Sequence, residues 1–232
     1  MRIRLATSPL PRARSFPTLP GMKVSAYIFD LDGTLLDTEK LWVESTALYM
    51  REHAPELTDD EVQEIVYGRS WSDVYRSICE RLPELALSID EMAALLNPIF
   101  ARLREERDVR IEPSIALLRD LAATHPVCIV SGSPRAEIEY AIDLMDIRDC
   151  LRLFLGAEDY GPGKPDPSCF LLAAEKLGVP PNECIVFEDS TAGIRAAKAA
   201  GMYCIALARD GAPAQDTSAA DETHPSLEHF SP

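Results

Sequence analysis

Two aspartates, Asp30 and Asp32, stand at the end of an apolar run that begins at Val24, and Gly33 and Thr34 follow them. A buried strand that delivers paired acids at its carboxyl end is where open α/β sheets bind their ligands. Carboxylates at such a place can hold a divalent cation and also do chemistry, one as a nucleophile and the other as a proton donor. The alternative is a simple hairpin turn, which the Asp-Gly pair also favours.

A second polar group follows an apolar run that ends at Val130. Ser131 and Gly132 offer a hydroxyl and free backbone N–H groups at a predicted strand-to-helix junction, where such groups bind phosphate oxygens. The alternative is that Ser133 caps a helix whose first residue is Pro134, which needs no ligand. Both interpretations stay open on these residues alone.

Lys164 stands in a loop, residues 161–167, that is rich in proline and glycine. Such a loop is stiff and cannot be helical. A rigid mount suits a charge that must neutralise a phosphate, whereas a solvated surface lysine does not need one. The surface lysine is nevertheless the alternative.

Adjacent acids, Glu188 and Asp189, end a further apolar run. Asp189 or Ser190 could cap the helix that follows. A second acidic strand end is also what a Mg²⁺ site needs, because Mg²⁺ prefers a few carboxylates together with water and phosphate oxygens.

The elements that must position these residues alternate between short apolar runs and helical patterns, which predicts an α/β fold with a parallel sheet. From Glu39 to Asp108 only helical periodicity appears, so we expect a helical cap over 39–108 that is inserted into a core of 22–38 and 109–232. Residues 1–21 are rich in arginine and proline, lack acids, and are expected to form a poorly ordered extension. The predicted strands are Val24–Asp30, Pro126–Ser131, Leu151–Leu155, Cys184–Glu188 and Tyr203–Leu207.

The composition excludes several classes of function. The 23 basic and 38 acidic residues give a net charge of −15, which disfavours a nucleic-acid partner. No apolar run approaches the roughly 18 residues that a membrane span needs. The six cysteines show no metal-binding or disulfide spacing, and Cys128, Cys184 and Cys204 fall in apolar segments, so we expect buried thiols and a cytoplasmic location.

Together, the Asp-Leu-Asp-Gly-Thr segment, Ser131, Lys164 and the Glu188-Asp189 pair resemble the motifs of the haloacid dehalogenase-like hydrolases. The resemblance covers roughly residues 23–210 and extends through the segment 193–202. The helical insertion looks like the cap of the β-phosphoglucomutase-like branch, which includes sugar-phosphate phosphatases. The resemblance implies a Rossmann-like parallel-sheet core with an inserted α-helical cap.

The resemblance also implies roles for single residues. Asp30 would be the nucleophile that forms an aspartyl-phosphate, and Asp32 would be the acid–base group. Ser131, the Gly132 amide and Lys164 would hold the phosphoryl group. The implied Mg²⁺ ligands are Asp30, Asp32 through its carbonyl, Asp189 and Glu188.

Three functions fit this resemblance, and a phosphatase is the one we predict. Its substrate would be a small phosphorylated metabolite, a sugar or polyol phosphate, and the protein would be a monomer or weak dimer. A β-phosphoglucomutase-type mutase is the first alternative, but Trp42 stands where that enzyme has a histidine, and its phosphate-gripping arginine aligns with Trp71. Arg69 could replace that arginine, and Trp42 could contact the substrate or merely pack between helices. A binding-only protein is the second alternative, although it would not need both Asp30 and Asp32.

Overall fold

The structure of the chain is a computed structural model that describes residues 22–66, 71–212 and 214–230. The sheet and helices alternate along most of this length. The strands are β1 Ala26–Phe29, β2 Val127–Val130, β3 Leu153–Leu155, β4 Cys184–Glu188, β5 Tyr203–Leu207 and β6 Glu222–His224. The α-helices are α1 Glu39–Arg51, α2 Asp59–Val66, α3 Trp71–Arg81, α4 Ile89–Glu106, α5 Glu112–Ala122, α6 Arg135–Met145, α7 Ser168–Leu177 and α8 Thr191–Ala199.

The strands form one six-stranded sheet in the order β3-β2-β1-β4-β5-β6, and every neighbouring pair is parallel. The sheet confirms the predicted α/β class and five predicted strands, with shorter limits for the first three. Sequence analysis missed β6, because Glu222–His224 has three polar residues and no apolar alternation. From β1 the chain adds β2 and β3 on one side of the sheet and then β4, β5 and β6 on the other. This change of direction puts the carboxyl end of β1 at a crevice between β2 and β4.

The two faces of the sheet bury different residues, because successive side chains of a strand point to opposite sides. Tyr27 and Phe29 pack with α5 and α6 in one apolar cluster. Ala26 and Ile28 pack with α7 and α8 in another. Cys128, Cys184 and Cys204 are fully buried in this second cluster, as predicted.

Helices α1 to α4 lie between β1 and α5 and share an apolar cluster of their own. The helical insertion is therefore present, while its exact limits stay a prediction. Helix α4 begins at a capping box of Ser88 and Glu91 and runs through Pro98 without ending. Arg69 and the extension 1–21 lie outside the described residues. In the described ranges no helix is long and apolar enough to cross a membrane.

Candidate active site

The parallel register brings the strand ends together at one edge of the sheet. The backbone N–H of Asp30 donates to the Phe187 carbonyl over 2.9 Å, just before the Glu188 end of β4. On the other side, β1 pairs with β2, which ends next to Ser131. Three of the predicted groups therefore meet because their strands are neighbours in the sheet.

Lys164 reaches this edge from its loop and contacts two acids. Its Nζ lies 2.5 Å from Asp30 Oδ1, 2.7 Å from Glu188 Oε1 and 3.2 Å from the Val130 carbonyl. Only 11% of the lysine side chain is exposed. Burial alone would lower the pKa of Lys164, but the two carboxylates outweigh it and hold the pKa well above its ordinary value. Lys164 is thus a fixed cation and not a solvated surface lysine.

Asp30 is buried in this cluster of charges. Burial raises the pKa of its carboxyl well above the ordinary value, and Glu188 and Asp32 raise it further, while Lys164 lowers it. The site therefore holds more negative charge than Lys164 balances locally. Such an acid-rich crevice favours a cation, or a ligand that brings one.

The Asp32 carboxylate is held by hydroxyl donors. Thr38 donates to Oδ1 over 2.6 Å. Ser133 and Ser131 donate to Oδ2 over 2.6 and 3.1 Å. The two aspartates of one short segment therefore have different surroundings, one ion-paired and one among hydroxyls.

The Ser131 segment is built as a loop that surrounds Asp32. The Ser131 backbone N–H donates to the Leu155 carbonyl over 3.0 Å, and the Tyr160 hydroxyl donates to the Ser131 carbonyl over 2.8 Å. The capping interpretation of Ser133 is wrong, because its hydroxyl binds Asp32 and Pro134 itself is the residue that precedes α6. Gly132 is exposed, with open space where a Cβ would lie.

Asp189 is placed by the loop after β1. Thr34 Oγ1 donates to its Oδ1 over 3.2 Å, and a Cβ on Gly33 would lie 2.0 Å from its Oδ2. Gly33 also has φ +86°, which favours glycine. Burial raises the pKa of Asp189 well above its ordinary value, and Glu188 and Asp30 raise it further. Asp189 therefore sits close enough to Asp30 for their charges to repel.

Glu188 is fully buried and bonded at both oxygens. Its Oε1 faces Lys164, and its Oε2 accepts from the N–H and hydroxyl of Ser190 over 2.7 and 2.9 Å. A Cβ on Gly193 would lie 1.6 Å from Oε1, so the glycine makes room for the carboxylate. Ser190 caps α8, as its hydroxyl accepts from the Gly193 N–H over 3.0 Å.

The predicted metal ligands lie at this edge, but they do not form a cluster of side chains alone. Among the described residues, no group of three or more His, Cys, Asp or Glu side chains is arranged to hold a metal ion. The reason is local: Lys164 Nζ contacts both Asp30 and Glu188, and the Asp32 carboxylate binds Ser131, Ser133 and Thr38. A site that uses the Asp32 main-chain carbonyl is compatible with this arrangement, and the ligand set stays a prediction.

A cavity of about 490 Å³ opens above the strand ends, between the core and the helices of the insertion. Trp42 lines it and stacks on Phe100, with ring centroids 4.1 Å apart, and Trp71 lies 6.1 Å from Trp42. Trp42 therefore both packs between helices and faces the cavity. The core wall includes Asp32, Gly132 and Ser133, which join the cavity to the acidic site.

The family model of the haloacid dehalogenase-like hydrolases matches residues 24–201, which include all of these groups. The chain belongs to this family. The chain is also similar to a validoxylamine A 7'-phosphate phosphatase of Streptomyces hygroscopicus subsp. limoneus, to which it is 33% identical over 182 residues that cover 78% of this chain and 84% of the relative. Hexitol phosphatase B of Escherichia coli is 31% identical over 199 residues, 80% of this chain and 84% of the relative.

The fold of this family member is shared by solved structures. A putative β-phosphoglucomutase of Thermotoga maritima superposes with a TM-score of 0.72 at 24% identity, and the match covers 88% of this chain and 95% of that one. At this identity the likeness concerns the fold alone. It agrees with a Rossmann-like core that carries an inserted helical cap.

Sequence analysis missed the residues that orient the acids. Thr34, Thr38 and Ser133 bind Asp189 or Asp32, and Gly193 makes room for Glu188. Thr38 and Ser133 could have been suspected from their positions beside the motifs. Gly193 could not, because its contact depends on how α8 turns back over the end of β4.

Proposed function

We propose that this haloacid dehalogenase-like hydrolase is a Mg²⁺-dependent phosphatase that hydrolyses a small phosphorylated metabolite, a sugar or polyol phosphate. The observation that carries the proposal is the buried contact of Lys164 with Asp30 beside an Asp32 whose carboxylate accepts from the hydroxyls of Thr38 and Ser133. This arrangement separates a nucleophile from a proton donor within three residues of one loop. The phosphatases among the relatives support the same class of reaction.

In the first half-reaction, an Asp30 carboxylate oxygen attacks the phosphorus of the ester. The bond from phosphorus to the leaving oxygen breaks, and Asp32 donates a proton to that oxygen. Lys164 neutralises charge on the phosphoryl oxygens, while the Ser131 hydroxyl and the Gly132 N–H donate hydrogen bonds to them. Catalysis of phosphoryl transfer depends mainly on such positioning of the reacting groups and neutralisation of their charge.

In the second half-reaction, Asp32 takes a proton from water, and that water attacks the phosphorus of the aspartyl-phosphate. The bond between Asp30 and phosphorus breaks, which releases inorganic phosphate and restores the carboxylate. Thr38 and Ser133 hold the Asp32 carboxylate in one place, so it can serve in both directions.

The residues at the site fit Mg²⁺. Burial raises the pKa of both Asp30 and Asp189, and the carboxylate of Glu188 raises each further, so a divalent cation would relieve the repulsion among these acids. Asp30, Asp189 and the Asp32 carbonyl would hold the ion, with Glu188 beside them. When bound, it would neutralise the phosphoryl oxygens together with Lys164.

Trp42 favours the phosphatase over the mutase. A mutase must remove the proton from the sugar hydroxyl that accepts the phosphoryl group, and the Trp42 indole, stacked on Phe100 where the mutase has a histidine, cannot act as a base. We further propose that the protein is a cytoplasmic monomer or weak dimer and that it binds neither nucleic acid nor membrane.

Phosphate release from a panel of phosphorylated sugars, polyols and nucleotides, with and without Mg²⁺, tests the proposal. We expect release that needs Mg²⁺ and that disappears in Asp30→Asn. Release from Asp30→Asn at the wild-type rate would exclude the covalent mechanism. If no compound releases phosphate, the protein is a mutase or a binding protein instead. The mutase is then tested with β-glucose 1-phosphate and its bisphosphate.

A further inference from the structure

The cavity above the strand ends is larger than a phosphate group requires, and most of its wall comes from the inserted helices. At one end lie Asp32, Gly132 and Ser133. The cap wall is formed by residues of α1, the end of α2, α3 and α4, among them Trp42, Thr46, Trp71 and Asn97. On the proposed function, on which this inference rests, the phosphoryl group binds at the core end. The cap wall then faces the leaving group.

The aromatic part of this wall has a fixed orientation. Trp42 stacks on Phe100 with an angle of 19° between the rings, which holds the indole in place, and Trp71 is tilted by 40° beside it. An indole face provides a flat apolar surface at little cost in conformational freedom. Such a surface suits a compact leaving group with C–H bonds on one side.

Two neutral polar side chains of the same wall lack protein partners. Asn97 is exposed on α4, and no hydrogen bond joins its amide to another residue of the described chain. Thr46 lies one helical turn after Trp42 and is fully buried, and its hydroxyl has no hydrogen-bond partner among the described residues. A buried hydroxyl without a partner costs free energy, so its retention at a cavity wall points to a ligand that supplies the partner.

We propose that Asn97 is a specificity-determining residue that hydrogen-bonds hydroxyl groups of the leaving group, assisted by Thr46. The amide offers two donors and one acceptor, which matches adjacent hydroxyls that both donate and accept. The Trp42 face packs against the carbon side of the same group. The substrate class that fits is the monophosphate of a polyol or sugar, and not an ester of an apolar alcohol.

The test compares two six-carbon esters, sorbitol 6-phosphate and n-hexyl phosphate, which differ in the hydroxyls of the leaving group. In Asn97→Leu we expect kcat/KM for sorbitol 6-phosphate to fall about tenfold, the scale of one neutral hydrogen bond. The value for hexyl phosphate should stay the same or rise. The control is Asn182→Leu, which changes the chain's other asparagine. Asn182 is exposed on the surface of the α/β part of the chain, away from the cavity.

Thr46 is tested in the same way with Thr46→Val, which keeps the shape, and Thr46→Ser, which keeps the hydroxyl. We expect Thr46→Val to lose activity on the polyol ester alone without losing thermal stability, and Thr46→Ser to retain it. An equal loss on both esters, or no loss in Asn97→Leu, overturns the proposal.

Failure of the proposed function gives a different result. If wild-type enzyme releases phosphate from neither ester, calorimetric binding of sorbitol 6-phosphate to wild type and Asn97→Leu decides. Weaker binding by the variant supports the recognition site, and equal or absent binding overturns it.

Discussion

At the residue scale, Asp32 differs from Asp30 through its neighbours. Its carboxylate is held by the hydroxyls of Thr38, Ser131 and Ser133, whereas Asp30 is paired with Lys164. An amide at position 32 could keep some of these hydrogen bonds but could not transfer a proton.

We therefore expect Asp32→Asn to lower kcat by about 10²- to 10⁴-fold, the usual worth of a general acid–base group, with little change in KM. Steady-state release of phosphate measures both constants. Asp143→Asn removes a surface acid that pairs with Arg148 and should leave kcat unchanged. A kcat within a few-fold of wild type in Asp32→Asn would remove Asp32 from the proton transfer.

Lys164 is the residue on which the electrostatics of the free enzyme depend. Lys164→Met would leave Asp30 and Glu188 buried and facing each other without their shared cation. Breaking a buried ion pair in this way costs about 3–5 kcal/mol, so we expect the free energy of unfolding in urea to fall by an amount of this order.

The matched control is Lys23→Met. The Lys23 side chain pairs with Glu183 but is 76% exposed, and such surface pairs contribute little. We expect no measurable change in that variant. Equal stability of Lys164→Met and wild type would mean that the three charges are solvated in the free enzyme.

At the scale of elements, the turn from β4 into α8 depends on one glycine. Gly193 lies in the first turn of α8, where alanine would favour the helix by about 1 kcal/mol. The added Cβ, however, would lie 1.6 Å from Glu188 Oε1, and Glu188 can move only by breaking its bonds to Lys164 and Ser190.

We expect the steric clash to outweigh the gain in helix propensity, so Gly193→Ala should lower both the melting temperature and kcat. Gly161→Ala adds the same methyl group where nothing lies within 4 Å of it and should change neither. If Gly193→Ala were as stable and active as wild type, the position of Glu188 would not matter to the site.

The same contrast explains how far the sequence could predict this protein. Apolar runs that end in acids predicted β1 and β4, because a strand and the residue that follows it are local features. The residues that orient the acids were harder to find, because Ser133 reaches Asp32 and Gly193 reaches Glu188 only after the elements have packed. The short polar β6 gave no signal, and its pairing with β5 depends on the rest of the sheet.

Asp37 joins the inserted helices to the core. Its N–H donates to the Val109 carbonyl over 2.7 Å, and its carboxylate accepts from Arg209 over 3.0 Å and pairs with Lys40 over 2.9 Å. Burial alone would raise the pKa of Asp37, but the bonds from Arg209 and Lys40 outweigh it and lower the pKa.

A carboxyl whose pKa is lower in the folded than in the unfolded protein stabilises the fold at pH values above its unfolded-state pKa. This contribution is lost as the pH falls through the folded-state pKa. We therefore expect Asp37→Asn to be less stable than wild type in urea at pH 7. The difference should shrink below the ordinary value of 3.8. Asp120→Asn, an exposed change on α5, is the control. A difference that stayed constant with pH would show that the charge of Asp37 contributes nothing.

At the scale of the whole molecule, the net charge of −15 opposes the approach of a phosphorylated substrate. Such repulsion is screened by salt, with a Debye length of about 8 Å at physiological ionic strength. Neutralisation within the site therefore matters more to substrate binding than this long-range repulsion. A cap that closes over the site would also exclude water and strengthen the contact with Lys164.

The contact between α4 of the insertion and α6 of the core is the one we expect to hold that cap in place. Arg104 pairs with Glu137 and lies over the Tyr140 ring, 3.7 Å from its centroid, and only 12% of its side chain is exposed. Because this guanidinium bridges the two parts of the chain, Arg104→Ala should loosen the cap. We expect a several-fold higher KM and faster deuterium exchange of α1 and α4. Arg102→Ala, an exposed arginine of the same helix, should change neither, and equal values in both variants would show that closure does not depend on the Arg104 contact.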